Sequence, residues 1–208
     1  HSFDLCRIHL LHISTDANCD RVMCPMDQRN NNIKPWAFKR IMNEIMDVCN
    51  EQKINCYYQD TDSIHLEASK INLLNEEFKR IYNYYILGTT LGKLQHDFKL
   101  ENCRDITAVK CIFLGRKSYI DVIQGTDIKT GEIKTGLHNR LKGIPTKSIQ
   151  HKADQDFKGD IYELYKQLAT GQEMEFTLNP TSLLPSFDFK FGSVYTRPDG
   201  SFKRVVSF

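Results

Sequence analysis

Long apolar runs are missing from this chain. None approaches the roughly 18 to 20 residues that a membrane-spanning helix requires, and no signal-peptide pattern opens the sequence. Neither a membrane partner nor secretion is therefore expected. A disulfide framework is missing as well. Seven cysteines, an odd number without framework spacing, suit reduced thiols in a cytoplasmic or nuclear setting. Cys6, His9, His12, Cys19 and Cys24 match no standard zinc-finger spacing and read as thiols and imidazoles of a connecting region. A large excess of one charge is also absent: the formal net charge is +2, so bulk charge selects no class of partner. No internal repeat is evident. What is present is ordinary, with 208 residues at 40% hydrophobic content, enough for one domain or two small ones. The first residue is His1 rather than Met, which suggests numbering that starts inside a longer polypeptide.

Periodicity predicts the elements. Residues 1–33 mix a short apolar stretch (Ile8, Leu10, Leu11, Ile13) with turn-prone residues and stay unassigned. From Trp36 to about Gln52, Phe38, Ile41, Met42, Ile45, Met46 and Cys49 recur at spacings of three and four and predict a helix, with Pro35 in its first turn. Two strands, Ile54–Tyr58 and Ser63–Glu67, follow as a hairpin. A second helix is expected from Ile71 to about Leu87, with Leu74, Phe78, Ile81, Tyr82 and Tyr85 on one face and Gly88 ending it. Leu94, His96, Phe98 and Leu100 alternate as a strand. Ile106–Phe113 and Ser118–Ile123 read as two more, turning at Gly115-Arg116. Thr126–Thr135 reads as a mobile polar insert. Beyond Pro145 a short helix around Tyr162, Leu164, Tyr165 and Leu168, ended by Gly171, precedes a strand over Glu173–Leu178. A long hairpin over Phe187–Phe208 turns at Arg197-Pro198-Asp199-Gly200.

Three features carry chemistry. In Tyr58-Gln59-Asp60-Thr61-Asp62-Ser63, two carboxylates sit at a tight strand-to-strand turn. Such hard oxygen donors suit magnesium or manganese rather than zinc, and a magnesium site of this kind usually handles phosphates. Strand alternation would put Asp60 and Asp62 on one side with Thr61 facing away. One pair is too few for a two-metal centre, so a further acidic residue must come from elsewhere. The second feature is Arg116-Lys117-Ser118-Tyr119, where Lys117 and Tyr119 would share one face of a strand and could meet a phosphodiester and a sugar or base. The third is a basic stretch. Between Arg104 and Lys152 ten basic residues stand against four acidic ones, a local excess of six in a chain whose total is +2.

Together these residues resemble family B DNA polymerases of the protein-primed branch, which includes phage, adenovirus, linear-plasmid and self-synthesising-transposon enzymes. Tyr58–Ser63 looks like that family's third polymerase motif, Y-x-D-T-D-S, and Lys117-Ser118-Tyr119 like its K-x-Y motif. Leu91-Gly92-Lys93-Leu94-Gln95-His96-Asp97-Phe98 is similar to the strand between them. The resemblance is specific from about Lys34 to Ile123 and looser beyond.

The resemblance implies nucleotidyl transfer in DNA replication: a primer 3′ hydroxyl attacks a dNTP with two Mg2+ (or Mn2+) ions as cofactors. Asp62 would be the principal metal ligand and Asp60 the supporting carboxylate. Tyr58, Thr61 and Ser63 would lie by the nucleotide or primer sugar, and Lys117 and Tyr119 would hold the primer strand. Arg116, Arg140 and Lys142 would meet the DNA backbone. The partners implied are a DNA primer-template, dNTP, a terminal protein primer and the N-terminal remainder of a polymerase. The family's first motif (D-x-x-S-L-Y-P) and second motif (K-x-x-x-N-S-x-Y-G) are absent, and no exonuclease carboxylate cluster is recognisable. The chain thus looks like a C-terminal portion, incomplete for catalysis alone.

The alternative is a primer-template DNA-binding module or split-polymerase subunit without chemistry. A glycosyltransferase, which also uses D-x-D, should show βαβ crossovers ahead of the motif, and none is found. The fold expected is α+β: an antiparallel palm sheet with a catalytic-type hairpin, helices packed on one face, and a small C-terminal thumb lobe. The boundaries expected are 1–33 as an unassigned lead-in, 34–140 as the palm and 141–208 as a thumb-like lobe.

Overall fold

The computed structural model describes residues 7–14, 35–177, 188–190, 194–196 and 202–204. In chain order the elements are β1 (Ile8–Ile13), α1 (Pro35–Glu51), β2 (Cys56–Asp60), β3 (Ser63–Glu67), a short 3₁₀ turn (Ala68–Lys70), α2 (Ile71–Tyr82) and β4 (Leu94–His96). Then come β5 (Cys103–Gly115), β6 (Ser118–Asp127), β7 (Ile133–Arg140), α3 (Thr146–Asp156), α4 (Ile161–Ala169), β8 (Glu175–Thr177), β9 (Asp188–Lys190), β10 (Val194–Thr196) and β11 (Phe202–Arg204). The class is α+β, as expected. Among the described residues seven strands form one sheet in the order β2-β3-β1-β5-β6-β7, with β4 also paired to β1. Two compact units share the described residues: a hairpin unit (7–14, 35–109 and 123–135) and a helical unit (110–122, 136–177 and the short strands beyond).

In the hairpin unit β1 is the strand that organises the rest. It pairs antiparallel with β3 from Ile8↔Glu67 to His12↔Ser63, with β4 from Leu11↔His96 to Ile13↔Leu94, and with β5 at Ile8↔Ala108. Ile8, Leu10, Leu11 and Ile13 are all at most 1% exposed, so both faces of the strand are buried. A strand buried on both faces shows no alternation, which is why the sequence pattern leaves it unassigned.

Leu11, Ile13, Ile64, Leu66 and Leu94 turn one face of the sheet toward α1 and α2. The expected α1 stripe lands there: Ile41, Met42, Ile45 and Cys49 are buried and Phe38 and Met46 partly so. Lys39, Arg40, Asn43 and Asp47 face water. Both cysteines of this core, Cys49 and Cys56, are free thiols, and burial pushes Cys49 up to about 12 and Cys56 to about 11.

α2 is shorter than its periodicity suggests. Asn83, not Gly88, ends it, adopting the left-handed conformation (φ 64°) and donating its N–H to Lys79 O at 3.0 Å, while Lys79 Nζ covers Asn83 O at 2.8 Å. Ile81 and Tyr85 are consequently 39% and 44% exposed rather than packed. Phe78 stays on the core with Tyr82 and Tyr84 at ring-centroid distances of 4.5 and 5.1 Å.

The segment read as a mobile insert is instead a β-hairpin. Its turn closes on Asp127, whose Oδ1 accepts from the N–H groups of Lys129 (2.8 Å) and Thr130 (2.9 Å) and whose other oxygen pairs with Lys134. Gly131, at φ 73°, supplies the left-handed residue. Polar composition hid the hairpin because its stabilising contacts are local carboxylate-to-backbone bonds. Gly125 in β6 is required for another reason. A Cβ there would meet Cys103 Cβ at 2.9 Å and Arg104 O at 3.2 Å.

The helical unit packs α3 and α4 over Ile112, Leu114 and Ile120, with Leu164, Tyr165, Leu168 and Phe176 fully buried. Asp160 caps α4 by accepting from Glu163 N at 3.0 Å. α3, which the sequence reading lacks, carries a thin apolar face of Ile149 and Ala153. The strand expected over Glu173–Leu178 is Glu175–Thr177, pairing with β9, and Leu178 lies outside the described residues. β10 and β11 pair as expected for the tail, Thr196 with Phe202, and their turn lies outside the described residues.

Phe78→Ala is expected to remove about 3–5 kcal/mol from the hairpin unit, read as a lower urea midpoint with an unchanged slope. The Lys134 hydrogen bond, helped by the Thr130 and Lys129 N–H groups, holds the Asp127 carboxyl down at about 2. A carboxyl lowered in the folded state stabilises it above the ordinary value of 3.8, and that contribution is lost as pH falls through about 2. Amide exchange at Lys129 and Thr130 is expected to accelerate across that window, and Asp127→Asn should abolish the step.

Candidate active site

The acidic pair sits where the sequence reading put it, at the tip of a two-residue hairpin. β2 and β3 close with Asp60↔Ser63, leaving Thr61 and Asp62 as the turn. Upstream, the register shifts between Cys56↔Leu66 and Tyr58↔His65, so Tyr57 is a bulge residue. The bulge has a steric consequence. Cys56 packs into the helix-side core with Leu66, whereas Tyr58 and Asp60 pair with His65 and Ser63 on the opposite face. Without the extra residue Tyr58 would follow Cys56 into the core.

The tip is held from several directions. Asp62 N–H donates to Asp60 O at 2.7 Å, and Ser63 Oγ donates to the same oxygen at 3.1 Å. From β1, Ile13 N–H donates to Asp62 O at 2.8 Å. Thr61 is left at φ 55°, a region that a β-branched residue rarely occupies and that costs on the order of 1–2 kcal/mol. Its hydroxyl donates to Asp60 Oδ1 at 3.2 Å. Thr61 therefore does not face away from the acids. The turn overrides strand alternation and swings its side chain onto Asp60. Thr61 is exposed, and Asp60, Asp62 and Ser63 are half-buried.

Tyr58 is half-buried and braced from beneath. Its ring meets the fully buried His65 edge-on at 5.4 Å, and His65 meets Phe98 edge-on at 6.2 Å. The register adds a residue that sequence reading missed. Asp60, Ser63, His12 and Gln95 stand in one row across β2, β3, β1 and β4. The His12 ring lies 2.8 Å from the Gln95 amide through Nε2 and 3.5 Å from Asp97 Oδ1 through Nδ1. Because Ser63 Oγ is turned onto Asp60 O, the row is not a hydrolytic Ser-His-Asp relay. The signal for His12 was its place in an apolar stretch, legible only once that stretch is known to be a central strand.

In the helical unit the K-x-Y residues are arranged differently from the sequence expectation. The turn between β5 and β6 is Arg116-Lys117. Lys117 sits in it at φ 59°, and the strand begins at Ser118. Lys117 and Tyr119 therefore do not alternate on one strand face. The two exposed cations head the turn, and Tyr119 is 8% exposed beneath it. The Tyr119 hydroxyl lies 3.3 Å from His138 Nε2, with the two rings stacked at 5.8 Å and 24°. Lys142 N–H donates to Ser118 Oγ at 3.2 Å, which brings Lys142 beside this turn. Tyr165 hydroxyl donates to Arg140 O at 2.8 Å, fixing the end of β7 on α4. Arg116, Lys117, Arg140 and Lys142 are thus gathered on neighbouring segments of one unit.

Among the described residues no group of three or more His, Cys, Asp or Glu side chains is arranged to hold a metal ion. Asp60 and Asp62 are hard oxygen donors of the kind magnesium takes, and they form a partial set. No protein-family model matches the chain, and no curated protein matches it.

Thr61→Gly is expected to leave the fold at least as stable, because glycine takes the left-handed turn position without a Cβ clash. Thr61→Val keeps the strain and loses the hydroxyl, and should cost about 0.5–1 kcal/mol against the parent in urea melts.

Proposed function

We propose that this chain is the C-terminal palm-and-thumb portion of a protein-primed family B DNA polymerase, acting in nucleotidyl transfer from dNTP to a primer 3′ hydroxyl. The observation that carries the reading is the Y-x-D-T-D-S string. Its aspartates stand half-buried at a hairpin tip, with the exposed threonine between them held in a strained conformation. Strain of this kind persists only where the surrounding bonds over-determine it, and it clusters at functional sites.

In this reading Asp62 and Asp60 would hold magnesium or manganese, which when bound neutralises charge on the attacking and leaving oxygens. Tyr58 bounds the site on the same sheet face, its ring kept in place by His65. Thr61 restrains the Asp60 carboxylate through its hydroxyl. Lys117, exposed at its turn, would meet a primer phosphodiester. Tyr119 offers little ring surface, and its part would be to seat that turn through His138. Arg116, Arg140 and Lys142 would add contacts to backbone phosphates. The third carboxylate and the triphosphate-binding helix, whose motifs this sequence lacks, would come from the N-terminal remainder of a polymerase.

A second reading is a primer-template DNA-binding module, or split-polymerase subunit, without chemistry. It is favoured by the lack of a third carboxylate beside the pair among the described residues.

Calorimetric titration of MgCl2 and of MnCl2 separates the two. The polymerase reading expects saturable heats that Asp62→Ala removes, and equal heats for both proteins would overturn it. The 208-residue chain is expected to bind a primed duplex without incorporating labelled nucleotide. Incorporation would show that it is complete for catalysis.

A further inference from the structure

A cavity of about 440 Å3 opens in the hairpin unit at the other end of β1 from the acidic tip. Arg7, His9, His96, Phe98, Arg104, Asp105 and Thr107 stand in its wall. His9 lies four residues from Ile13, about 13 Å along an extended strand. The cavity is therefore separate from Asp60 and Asp62.

Its polar groups are short of acceptors. Thr107 is 6% exposed, and its hydroxyl has no hydrogen-bond partner among the described residues. Nδ1 of His9 is likewise buried and unpartnered among them. A buried polar atom left unpaired costs roughly 1–3 kcal/mol, so the Thr107 hydroxyl calls for a ligand or ordered water. The His9 and His96 rings meet edge-on at 4.3 Å. Arg104 has an acid beside it, Asp105, but at 3.7 Å and with both side chains at least 70% exposed, the pairing leaves its guanidinium free to turn inward. Arg7 is exposed at the rim.

The ligand class follows from these donors. Two guanidinium groups outnumber the one carboxylate of the wall, Asp105, and disfavour a cation, and a metal is disfavoured by the lack of a three-ligand set among the described residues. A neutral apolar ligand would leave the Thr107 hydroxyl unmet. We propose that this cavity binds a phosphate-bearing anion through Arg7, Arg104 and the Thr107 hydroxyl, with His9 and the exposed His96 in its wall reporting occupancy. Guanidinium forks match phosphoryl oxygens in geometry as well as charge. The volume is at the small end of ligand sites and admits pyrophosphate as readily as phosphate. Burial, then the His96 ring, holds His9 down at about 4, and its hydrogen bond to the Ile106 backbone engages the one N–H of the neutral ring, so His9 lines the site without donating to the anion. This inference does not rest on the polymerase reading, since neither acid of the hairpin tip takes part.

The test is a titration of the full chain with sodium phosphate and with sodium pyrophosphate at constant ionic strength. It is followed by imidazole 1H–15N spectra of His9 and His96, with His12 as internal control. Saturable shifts confined to His9 and His96 are expected. Arg104→Gln, at an exposed position that should not disturb folding, is expected to weaken binding about tenfold, and the near-isosteric Thr107→Val about three- to tenfold. A short single-stranded oligonucleotide gives a further arm. Shifts at the same two histidines that pyrophosphate displaces would assign the anion to a nucleic-acid backbone, and their absence would assign it to a free phosphate ester. No saturable shift with either salt, or equal affinity in parent and both variants, would overturn the proposal. Asp62→Ala should bind phosphate like the parent, so failure here is separable from failure of the metal assignment.

Discussion

The hydrogen bond from Ile13 N–H to Asp62 O is the point on which the acidic hairpin depends. A two-stranded hairpin alone is marginal in water, and β2 is the edge strand of its sheet. What gives the tip a defined position is that β3 is flanked on its other side by β1, over five consecutive residue pairs, and that the last backbone donor of β1 reaches past the ladder into the turn. β1 in turn is fixed by burial on both faces. Helices α1 and α2 enter as the weight that holds β1 and β3 flat against the core. A loss of packing at Phe78 would therefore be felt at the carboxylates through the sheet rather than by contact.

Among the described residues seven non-glycine residues stand at positive φ, and two of them lie in turns of the chemistry-bearing motifs: Thr61 between the aspartates and Lys117 between β5 and β6. In each case the residue's side chain is what a glycine would delete. Thr61 contributes the hydroxyl that engages Asp60, and Lys117 an exposed ammonium at the head of a turn seated on Ser118 and Tyr119. Asn83 and Asn102, also at positive φ, are residue types that tolerate the conformation and require no such account. Lys53 and Lys158, at φ 52° and 53° in other turns, carry the same cost, so positive φ by itself does not single out the two motifs; Thr61 is set apart as the β-branched residue of the set.

The sequence made α1, the hairpin and its acids legible because each announces itself locally. α1 has a clean stripe of Ile41, Ile45 and Cys49, and the hairpin has β-formers on either side of an acidic turn. Where the answer depended on partners distant in sequence, local pattern failed. β1 shows no alternation because Ile8 and Leu10 are buried as fully as Leu11 and Ile13. The left-handed Asn83 ended α2 before the periodicity ran out. Asp127, a polar residue in a polar segment, gave no outward sign that it organises a turn. In the site, Asp60, Asp62 and Tyr58 could be named from sequence, but the Tyr57 bulge that aims Tyr58, and His12 in the Asp60 row, exist only through strand register. Lys117 was misplaced by one residue. In a strand that reverses its facing, and in a turn it removes the side chain from the strand altogether.

β1 carries opposite chemistries at its two ends. Near Ile13 stand the carboxylates of Asp60 and Asp62, and near His9 stand Arg7 and Arg104. Their separation, about 13 Å along the strand, exceeds the roughly 8–10 Å over which exposed charges act on one another at physiological salt. A cation drawn to the tip and an anion drawn to the cavity would therefore neither compete nor neutralise one another through solvent. Coupling would instead be mechanical, through the Tyr58–His65–Phe98 ring contacts and through the strand that both share, and β1 is buried on both faces and paired along its length. Such a strand transmits position rather than charge. The register that fixes Ser63 opposite His12 also fixes Leu66 opposite His9, so displacement at one end without displacement at the other would require breaking the β1–β3 ladder between them.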